Sequence, residues 1–323
     1  MNAALTAVLL LNAIINSIGV IVNGLLIYLI ARRTPKVIRI YSLFILNNAI
    51  CDLLLCAFEL YVLQRMIPGT GLYFFYYGPC RLLGTTACFI GSSIIFHCYI
   101  HSLYSILLSF GYRYYVLSHS APKVRSVLLV ILLSYAPSFF QLVTYILTMD
   151  SEDELKRKIT REYGYDVSGE CVSGNLNIYT WKTMFMILHV TTTIPPVYAT
   201  IMVLRRGILK KLCAETTMSE NTRQLHAQLL KTLMYQSCLP IFFAAAGSSY
   251  ALGQFNIIHS PVIEQCSFML ASIAPVLTPL ASLYFIEPYR RWVKEVLLCR
   301  REAASVFPET RTSKATISQY HTS

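Results

Sequence analysis

The sequence predicts an all-α membrane protein, a bundle of seven transmembrane helices followed by a short amphipathic helix. The first observation is a series of mainly apolar runs, each long enough to cross a hydrocarbon core of about 30 Å at about 1.5 Å per helical residue. The second is positive charge concentrated between alternate runs. Backbone amides cannot stay unpaired in lipid, so runs of this length form helices. The predicted spans are 5–30, 41–63, 86–110, 127–148, 183–204, 229–252 and 266–286.

The basic residues between these runs predict the orientation of the bundle. Of the 27 Lys and Arg residues, 20 lie in segments that are cytoplasmic if the N-terminus is outside. Lys and Arg are enriched in cytoplasmic loops, so we expect an outside N-terminus and a cytoplasmic tail. The minority in the outer segments are Arg65, Arg81, Lys156, Arg157, Lys158, Arg161 and Lys182.

The composition agrees with a protein built inside a bilayer. Hydrophobic residues make up 55% of the chain and charged residues 13%, below the roughly 25% that is typical of soluble domains. Seven spans use nearly all of the 323 residues, which leaves no room for a second folded domain. We expect a seven-transmembrane domain over 1–289 and a cytoplasmic amphipathic helix with a disordered tail over 290–323. A nucleic-acid partner is not expected, because the positive charge lies on one side of the membrane.

Four cysteines lie at the predicted outer side, where disulfides persist. They are Cys80, Cys88, Cys171 and Cys266, and sequence alone does not choose among their pairings. The most useful bridge ties the segment before the third helix to the long acidic loop at 149–182, which holds Cys171. Two interpretations of that loop's acidic residues stay open, simple solvation and the steering of cations or ligands.

Charged side chains within the predicted spans indicate a specific structural or functional role, because placing a charge in the membrane costs free energy. Asp52 and Glu59 are seven residues apart in the second helix, nearly two turns, and therefore share a face. Asp52 is either a hydrogen-bonded packing node with Asn23 and Asn48 or a hydrated switch or ion site. Glu59 either lines an outward pocket or lies at the membrane interface.

The third helix ends in an arginine, Arg113, that suits an element with two states. It can contact neighbouring helices when the bundle is closed and meet a partner's carbonyl when it is open. The alternative is that Arg113 extends to lipid phosphates. Helical spacing places a column of residues on the face of Arg113, leading toward an outer cavity. The outer members of the column, Ile95 and Tyr99, together with Glu59, are the candidate ligand-pocket residues. The column comprises Ser109, Ile106, Ser102, Tyr99 and Ile95.

Short motifs occur along the chain from the first span to the segment after the seventh. The most specific are Tyr-Arg-Tyr at 112–114 and Pro-Tyr-Arg at 288–290. The others are Gly-Val-Ile-Val-Asn at 19–23, Leu-Asn-Asn-Ala-Ile-Cys-Asp at 46–52, Tyr-Gly-Pro-Cys at 77–80, Ser-Cys-Leu-Pro at 237–240 and Thr-Pro at 278–279. In these motifs the chain resembles the seven-helix G-protein-coupled receptors, and more closely the nematode serpentine chemoreceptors of class delta, over nearly 300 residues.

The resemblance implies a receptor that couples an external chemical, a small molecule or a peptide, to a cytoplasmic heterotrimeric G protein, in the plasma membrane or a sensory cilium. It implies that Asn23, Asp52 and Arg113 form the polar centre and the switch. It also implies a disulfide between Cys88 and Cys171, with Cys80 as a competing partner. Tyr112 departs from the pattern, because it replaces the acidic residue usually found before the arginine.

The chain after the seventh span is predicted to lie on the membrane. One apolar stripe faces a basic one after Pro288, as in an amphipathic helix on an anionic leaflet. Cys299 follows as a candidate palmitoylation site.

Other functional classes lack their signals. The last span holds no lysine for a retinal Schiff base, and the hydrolase motifs G-x-S-x-G and H-E-x-x-H are absent from the sequence. His97 and His101 have a spacing that can share a metal, but we favour interhelical hydrogen bonds for them. We therefore expect neither an enzyme nor a cofactor or metal. A membrane transporter or ligand-gated channel is the alternative to the receptor.

Overall fold

The computed structural model describes residues 3–35, 38–164, 166–214, 220–254 and 261–297. Within these residues, seven helical spans are long and apolar enough to cross a membrane, which confirms the predicted fold class. In order, spans one to seven are Ala3–Arg33, Arg39–Val62, Thr85–Val116, Val124–Ile146, Trp181–Lys211, Gln228–Gly253 and Glu264–Phe285.

The spans and their connections form eleven α-helices, three strands and a short 3₁₀ helix at Pro79–Leu83 in the described residues. In chain order these are α1 (Ala3–Arg33), α2 (Arg39–Val62), β1 (Gln64–Pro68), β2 (Leu72–Tyr76), α3 (Thr85–Val116), α4 (Val124–Ile146), α5 (Glu152–Tyr163), β3 (Cys171–Asn175), α6 (Trp181–Thr192), α7 (Ile194–Ala214), α8 (Glu220–Gln236), α9 (Pro240–Gln254), α10 (Pro261–Phe285) and α11 (Glu287–Leu297).

Spans five and six are each divided in two. Span five is α6 followed by α7, and span six is α8 followed by α9. Pro195 and Pro196 follow the first break, and Pro240 follows the second. Proline has no N–H and its ring clashes with the preceding turn, so it interrupts a helix. The two halves of each span are therefore able to tilt separately.

Span three is the centre of the bundle. In the apolar stretch that defines each span, 72% of the residues of span three are buried within the bundle, against 11% for span five and 28% for spans one and four. It packs mainly against α2, α4 and α7, while α1 packs against α2 and α10. A residue on span three can therefore contact most of the other spans.

One end of the bundle carries an antiparallel sheet of order β1-β2-β3, which the sequence analysis did not foresee. We call this the sheet end and the opposite end, where α3 terminates, the Arg113 end. The long acidic loop folds into α5 and β3. In β2, Leu72 pairs with both Pro68 and Asn175, so the strand is hydrogen-bonded on both edges.

The sheet is buried on both faces because side chains alternate along its central strand. Tyr73 and Phe75 face α5, whose Leu155 and Ile159 complete a small core. Phe74 and its neighbours two residues away face the helix bundle. The sheet is therefore a packed layer between α5 and the seven spans.

The helix α11 follows span seven almost directly, beginning at Glu287. Its apolar side packs on the start of the bundle, with the rings of Trp292 and Tyr28 5.8 Å apart. The Tyr289 hydroxyl lies 2.8 Å from the Thr34 hydroxyl. The candidate lipidation residue Cys299 and the rest of the predicted tail lie outside the described residues.

Candidate functional site

A cavity of about 140 Å³ lies between spans three, five, six and seven, directly under the sheet. Its walls are apolar almost throughout, and no Asp, Glu, Lys or Arg lines it among the described residues. Its principal side chains are Phe96, Tyr99 and Leu103 from α3, Met186 from α6, Phe243 from α9 and Phe268 from α10.

Of the three residues predicted to contact a ligand, Tyr99 lines this cavity and Ile95 and Glu59 do not. Arg113 faces span two, so Ile95, five turns earlier on the same face, is packed away from the cavity. Each residue turns a helix by about 100°, which brings Phe96 round to the cavity instead. Ile95 was placed on a column counted from Arg113, a residue that faces a different neighbour, and Glu59 lies on span two behind Tyr99. Contact of Ile95 or Glu59 with a ligand stays a prediction.

Glu59 lies behind the cavity wall and not at the membrane interface. Its carboxylate is buried, and the Tyr99 hydroxyl donates a hydrogen bond of 2.8 Å to its Oε1 atom. Tyr99 therefore connects the apolar cavity with a buried carboxyl group on span two.

Asp52 is the centre of a hydrogen-bonded node deeper in the bundle. Asn48 donates to Asp52 Oδ2 at 2.8 Å, and Ser102 donates to Asp52 Oδ1 at 2.8 Å. The Ser102 hydroxyl also lies 3.3 Å from Asn48 Oδ1. The node joins spans two and three. The expected third member, Asn23, bonds elsewhere.

Asn23 connects span one with span seven. Its amide donates to the backbone oxygens of Gly19 and Pro275, at 2.9 Å and 3.0 Å. In an α-helix the oxygen of residue 275 would accept from the N–H of residue 279, and Pro279 has none. The asparagine side chain thus supplies the donor that the proline removes.

A second cavity of about 10 Å³ lies between the node and the Arg113 end. This is the space of about one water molecule. Its lining is partly polar and includes Asn23, Asn48, Tyr41 and Ser109. Ser109 and Ile106, which belong to the predicted column, line this smaller cavity and not the ligand-sized one.

Arg113 is 5% exposed, so it does not extend to lipid phosphates. Its guanidinium carbon lies 3.8 Å from the centroid of the Tyr41 ring on span two. Tyr112, which replaces the usual acidic residue, packs its ring against those of Phe44 and Tyr41, at 4.9 Å and 6.0 Å. Arg113 has no acidic neighbour at position 112, and it contacts the face of the Tyr41 ring instead. Cations are attracted to the quadrupole of such a ring.

Three cysteines meet where α3 begins, but their pairing differs from the expected one. The disulfide joins Cys80 to Cys88, and Cys171 is a free thiol with its Sγ 3.9 Å from that of Cys88. Gly84 has a φ of 97°, which lets the intervening turn bring Cys80 back onto Cys88. Burial raises the pKa of the Cys171 thiol. The predicted bridge to Cys171 is therefore corrected to a local one.

The paired histidines of span three lie in an interhelical contact. The ring of His101 stacks on that of Tyr135 in span four at 3.5 Å, and its Nε2 lies 3.2 Å from Asn47 Nδ2 in span two. No group of three or more His, Cys, Asp or Glu side chains with metal-binding geometry occurs in the described part of the chain.

The apolar side chains of the ligand-sized cavity were not found from the sequence. Phe243 and Met186 cannot be told apart in the sequence from the other apolar residues of a span, because positions that face lipid and positions that face an apolar cavity carry the same types of side chain. Tyr99 was found because it lies on the helical column counted back from Arg113.

Comparison with known proteins agrees with this arrangement. Residues 8–295 match the family model described as serpentine type 7TM GPCR chemoreceptor Srd. Serpentine receptor class delta-18 of Caenorhabditis elegans is 36% identical over 288 residues, covering 87% of this chain and 85% of the relative. Class delta-3 of the same nematode is 35% identical, covering 86% and 83%.

The fold also matches a solved structure. Squid rhodopsin superposes with a TM-score of 0.65 at 16% identity, over 93% of this chain and 87% of that one. That likeness concerns the fold alone. The family consists of non-enzymatic receptors, which confirms the expectation that this protein is not an enzyme and favours the receptor over the transporter or channel. The chain belongs to the Srd family of nematode serpentine seven-transmembrane chemoreceptors of the G-protein-coupled receptor class.

Proposed function

We propose that this receptor converts the binding of an external chemical into activation of a heterotrimeric G protein on the cytoplasmic side. The observation that carries the proposal is the pairing of two features on one helix. Tyr99 lines a ligand-sized cavity, and Arg113 lies buried 14 residues further along α3. At about 1.5 Å per residue the two are about 21 Å apart, across half a bilayer.

The signal passes from the cavity to Arg113 through the divided spans five and six and the hydrogen-bonded node at Asp52. A ligand in the cavity contacts spans three, five, six and seven. Spans five and six are divided by breaks at Thr193 and at 237–239, so their halves toward the Arg113 end can tilt separately. Such a tilt opens that end of the bundle, and Arg113 leaves the Tyr41 ring to meet backbone carbonyls of the G protein. Asp52, with Asn48 and Ser102, connects spans two and three along the way.

The proposed orientation places the sheet end outside the cell and α11 against the cytoplasmic leaflet of the plasma membrane. The excess of Lys and Arg between alternate spans supports it. An epitope tag at Met1 should stain intact cells, and one at Ser323 should stain only after permeabilisation. The reverse pattern would contradict the orientation and the receptor mechanism with it.

The decisive test is a ligand screen in cells that report G-protein activation. The receptor should respond to some chemicals at the cell surface, and an Arg113→Ala variant at equal surface density should not. A response that Arg113→Ala preserves in full would show that the signal does not pass through this arginine. Responses that persist when G-protein activation is blocked would point to another output.

A further inference from the structure

We propose that the cavity takes small, uncharged, apolar molecules, and that they reach it sideways from the bilayer, between spans five and six. The inference rests on the proposed function in one respect, that the cavity is the ligand site. It adds the chemical class of the ligand and the route by which the ligand arrives.

The lining of the cavity excludes charged ligands. No ionic side chain lines it among the described residues, and its polar groups are already engaged within the protein. The Tyr99 hydroxyl donates to Glu59, and the Thr191 hydroxyl donates to the Ile187 oxygen on its own helix. A charged ligand would lose its hydration without a counter-ion, a penalty of several kcal/mol. An uncharged hydrocarbon-like molecule loses nothing comparable.

The size of the cavity limits the ligand. At about 140 Å³ it is close to apolar protein cavities of about 150 Å³ that stay dry and bind benzene. Its ring-rich walls, with Phe96, Phe243 and Phe268, suit a flat or compact hydrocarbon body. A substituted benzene or a short branched chain matches these dimensions.

The sheet covers the cavity at the end that faces water. Met66 of β1 and Leu72 of β2 form part of the cavity wall, so the sheet itself is the roof. The roof is fastened to span seven by a buried ion pair, with Arg65 Nε 3.4 Å from Glu264 Oε2. A molecule passing this way must part strands that are hydrogen-bonded on both sides and backed by α5.

Between spans five and six, by contrast, the cavity is open to the surface of the bundle. Thr191 of α6 and Gly247 of α9 both line the cavity and are exposed on the surface that faces lipid. A Cβ added to Gly247 would meet no atom within 4 Å, so this side is open space. The helix α6 packs mainly on α4 and makes little contact with α9. The cavity therefore has its mouth in the membrane.

Apolar molecules are concentrated at that mouth before they bind. They partition from water into the hydrocarbon core, which lies against the exposed side chains of span five. Leu188 is 48% exposed and Val203 67% exposed, as expected of a lipid-facing surface. A lateral route thus uses the bilayer as the first step of selection.

The test is ¹⁹F NMR of the receptor in lipid nanodiscs with 4-(trifluoromethyl)toluene as the uncharged probe and 4-(trifluoromethyl)benzoate as its charged counterpart. We expect a bound signal for the toluene and a bound population at least tenfold smaller for the benzoate. Ala246→Phe, which fills the cavity, should abolish the bound signal. Equal binding of the benzoate, or no bound toluene signal below saturation, would overturn the ligand class.

Exchange rates of the bound probe test the route. Gly247→Trp and Thr191→Phe, which narrow the mouth from either side, should each slow exchange at least tenfold. Ala245→Trp, on the exposed side of the same helix but outside the cavity lining, is the matched control and should leave the rate unchanged. Unchanged exchange in both mouth variants, together with faster exchange in Arg65→Gln, would overturn the lateral route in favour of the roof.

This experiment separates the inference from the proposed function, because it needs no G protein. A receptor that binds the neutral probe through the mouth but never activates a G protein would contradict the proposed function alone. A receptor that signals to external chemicals while the cavity binds no neutral probe would contradict the inference alone.

Discussion

The side-chain amide of Asn23 donates a 3.0 Å hydrogen bond to the backbone oxygen of Pro275, an acceptor that Pro279 deprives of its helical partner. Asn23→Ala leaves that oxygen unpaired in the interior of the bundle, which should cost about 1–3 kcal/mol of stability. Pro279→Ala restores an N–H for the same oxygen, so the double variant should be more stable than the sum of the two single effects.

Thermal unfolding of the purified receptor measures this interaction. Asn16→Ala is the matched control, because Asn16 is also buried in α1 but its amide bonds to the Asn12 oxygen of its own helix. Pro279→Ala should not rescue it. Equal rescue of both asparagine variants would mean that the proline acts on the whole bundle and not through the Pro275 oxygen.

The Tyr41 ring should hold Arg113 in the resting arrangement. Tyr41→Ala removes an attraction of about 1 kcal/mol, which should raise basal G-protein activation about fivefold. Tyr41→Phe keeps the aromatic face but removes the hydroxyl that accepts a hydrogen bond from Arg113, so its basal activity should lie between those of the parent and Tyr41→Ala. Basal activity is measured in cells at equal surface density. An unchanged basal level in Tyr41→Ala would mean that the ring only packs beside the arginine.

Arg113 itself should be needed for output and not for folding. Arg113→Ala should retain surface expression and probe binding while losing G-protein activation. Arg32, an exposed arginine at the same end of the bundle, is the matched control, and Arg32→Ala should signal normally. Signalling by Arg113→Ala at the level of the parent would assign the arginine a purely structural role.

Asp52→Asn should weaken the connection between the cavity and the Arg113 end. The asparagine can still accept from Ser102, but it loses the carboxylate that accepts from both neighbours. We expect the coupling free energy between ligand and G protein to fall by roughly 1–3 kcal/mol, a typical allosteric range. The ratio of agonist affinity with and without G protein measures it. An unaltered ratio would leave Asp52 as a packing node.

Non-reduced peptide mapping should recover a link between Cys80 and Cys88 and a Cys171 that can be alkylated. Burial raises the pKa of Cys171, so its thiolate fraction is small at neutral pH and alkylation should accelerate as the pH rises. In Cys80→Ser, expressed through the oxidising secretory pathway, Cys171 should replace the missing partner, since its sulfur lies 3.9 Å from that of Cys88. A linked Cys171 in the parent protein would contradict the observed pairing.

The spans could be predicted because their length and hydropathy follow directly from the thickness of the bilayer. The sheet could not, because β1 and β2 are only five residues long each, and β1, which contains Gln64 and Arg65, lacks the alternation of polar and apolar residues that marks a strand. The sequence of α5 does carry the pattern of a helix, but the many acidic residues of this segment suggested a solvated loop. Glu152 and its acidic neighbours fill the first turn, Arg161 lies in the last, and Gly164 ends the helix in the left-handed region.

The polar sites were easier to predict than the cavity. Asp52 and Arg113 stand out in apolar spans, so their importance could be inferred even though their partners could not. Tyr41 carries no such signal, because a tyrosine near a membrane interface is ordinary. The rotation of α3, which brings Phe96 and not Ile95 to the cavity, depends on packing between helices that no single-chain pattern records.

The two-sided sheet has a consequence for how such a receptor can change over evolutionary time. Phe74 and the bundle-facing positions of β2 touch the interior, whereas Tyr73 and Phe75 pack against α5 and the neighbouring strands. The exposed charges of α5, such as Asp153 and Arg157, are thus on the far side of the sheet from any molecule bound in the cavity. The positions of β2 that face α5 and the positions that face the cavity alternate along one strand. Substitutions at one set of positions can therefore accumulate without altering the side chains of the other set.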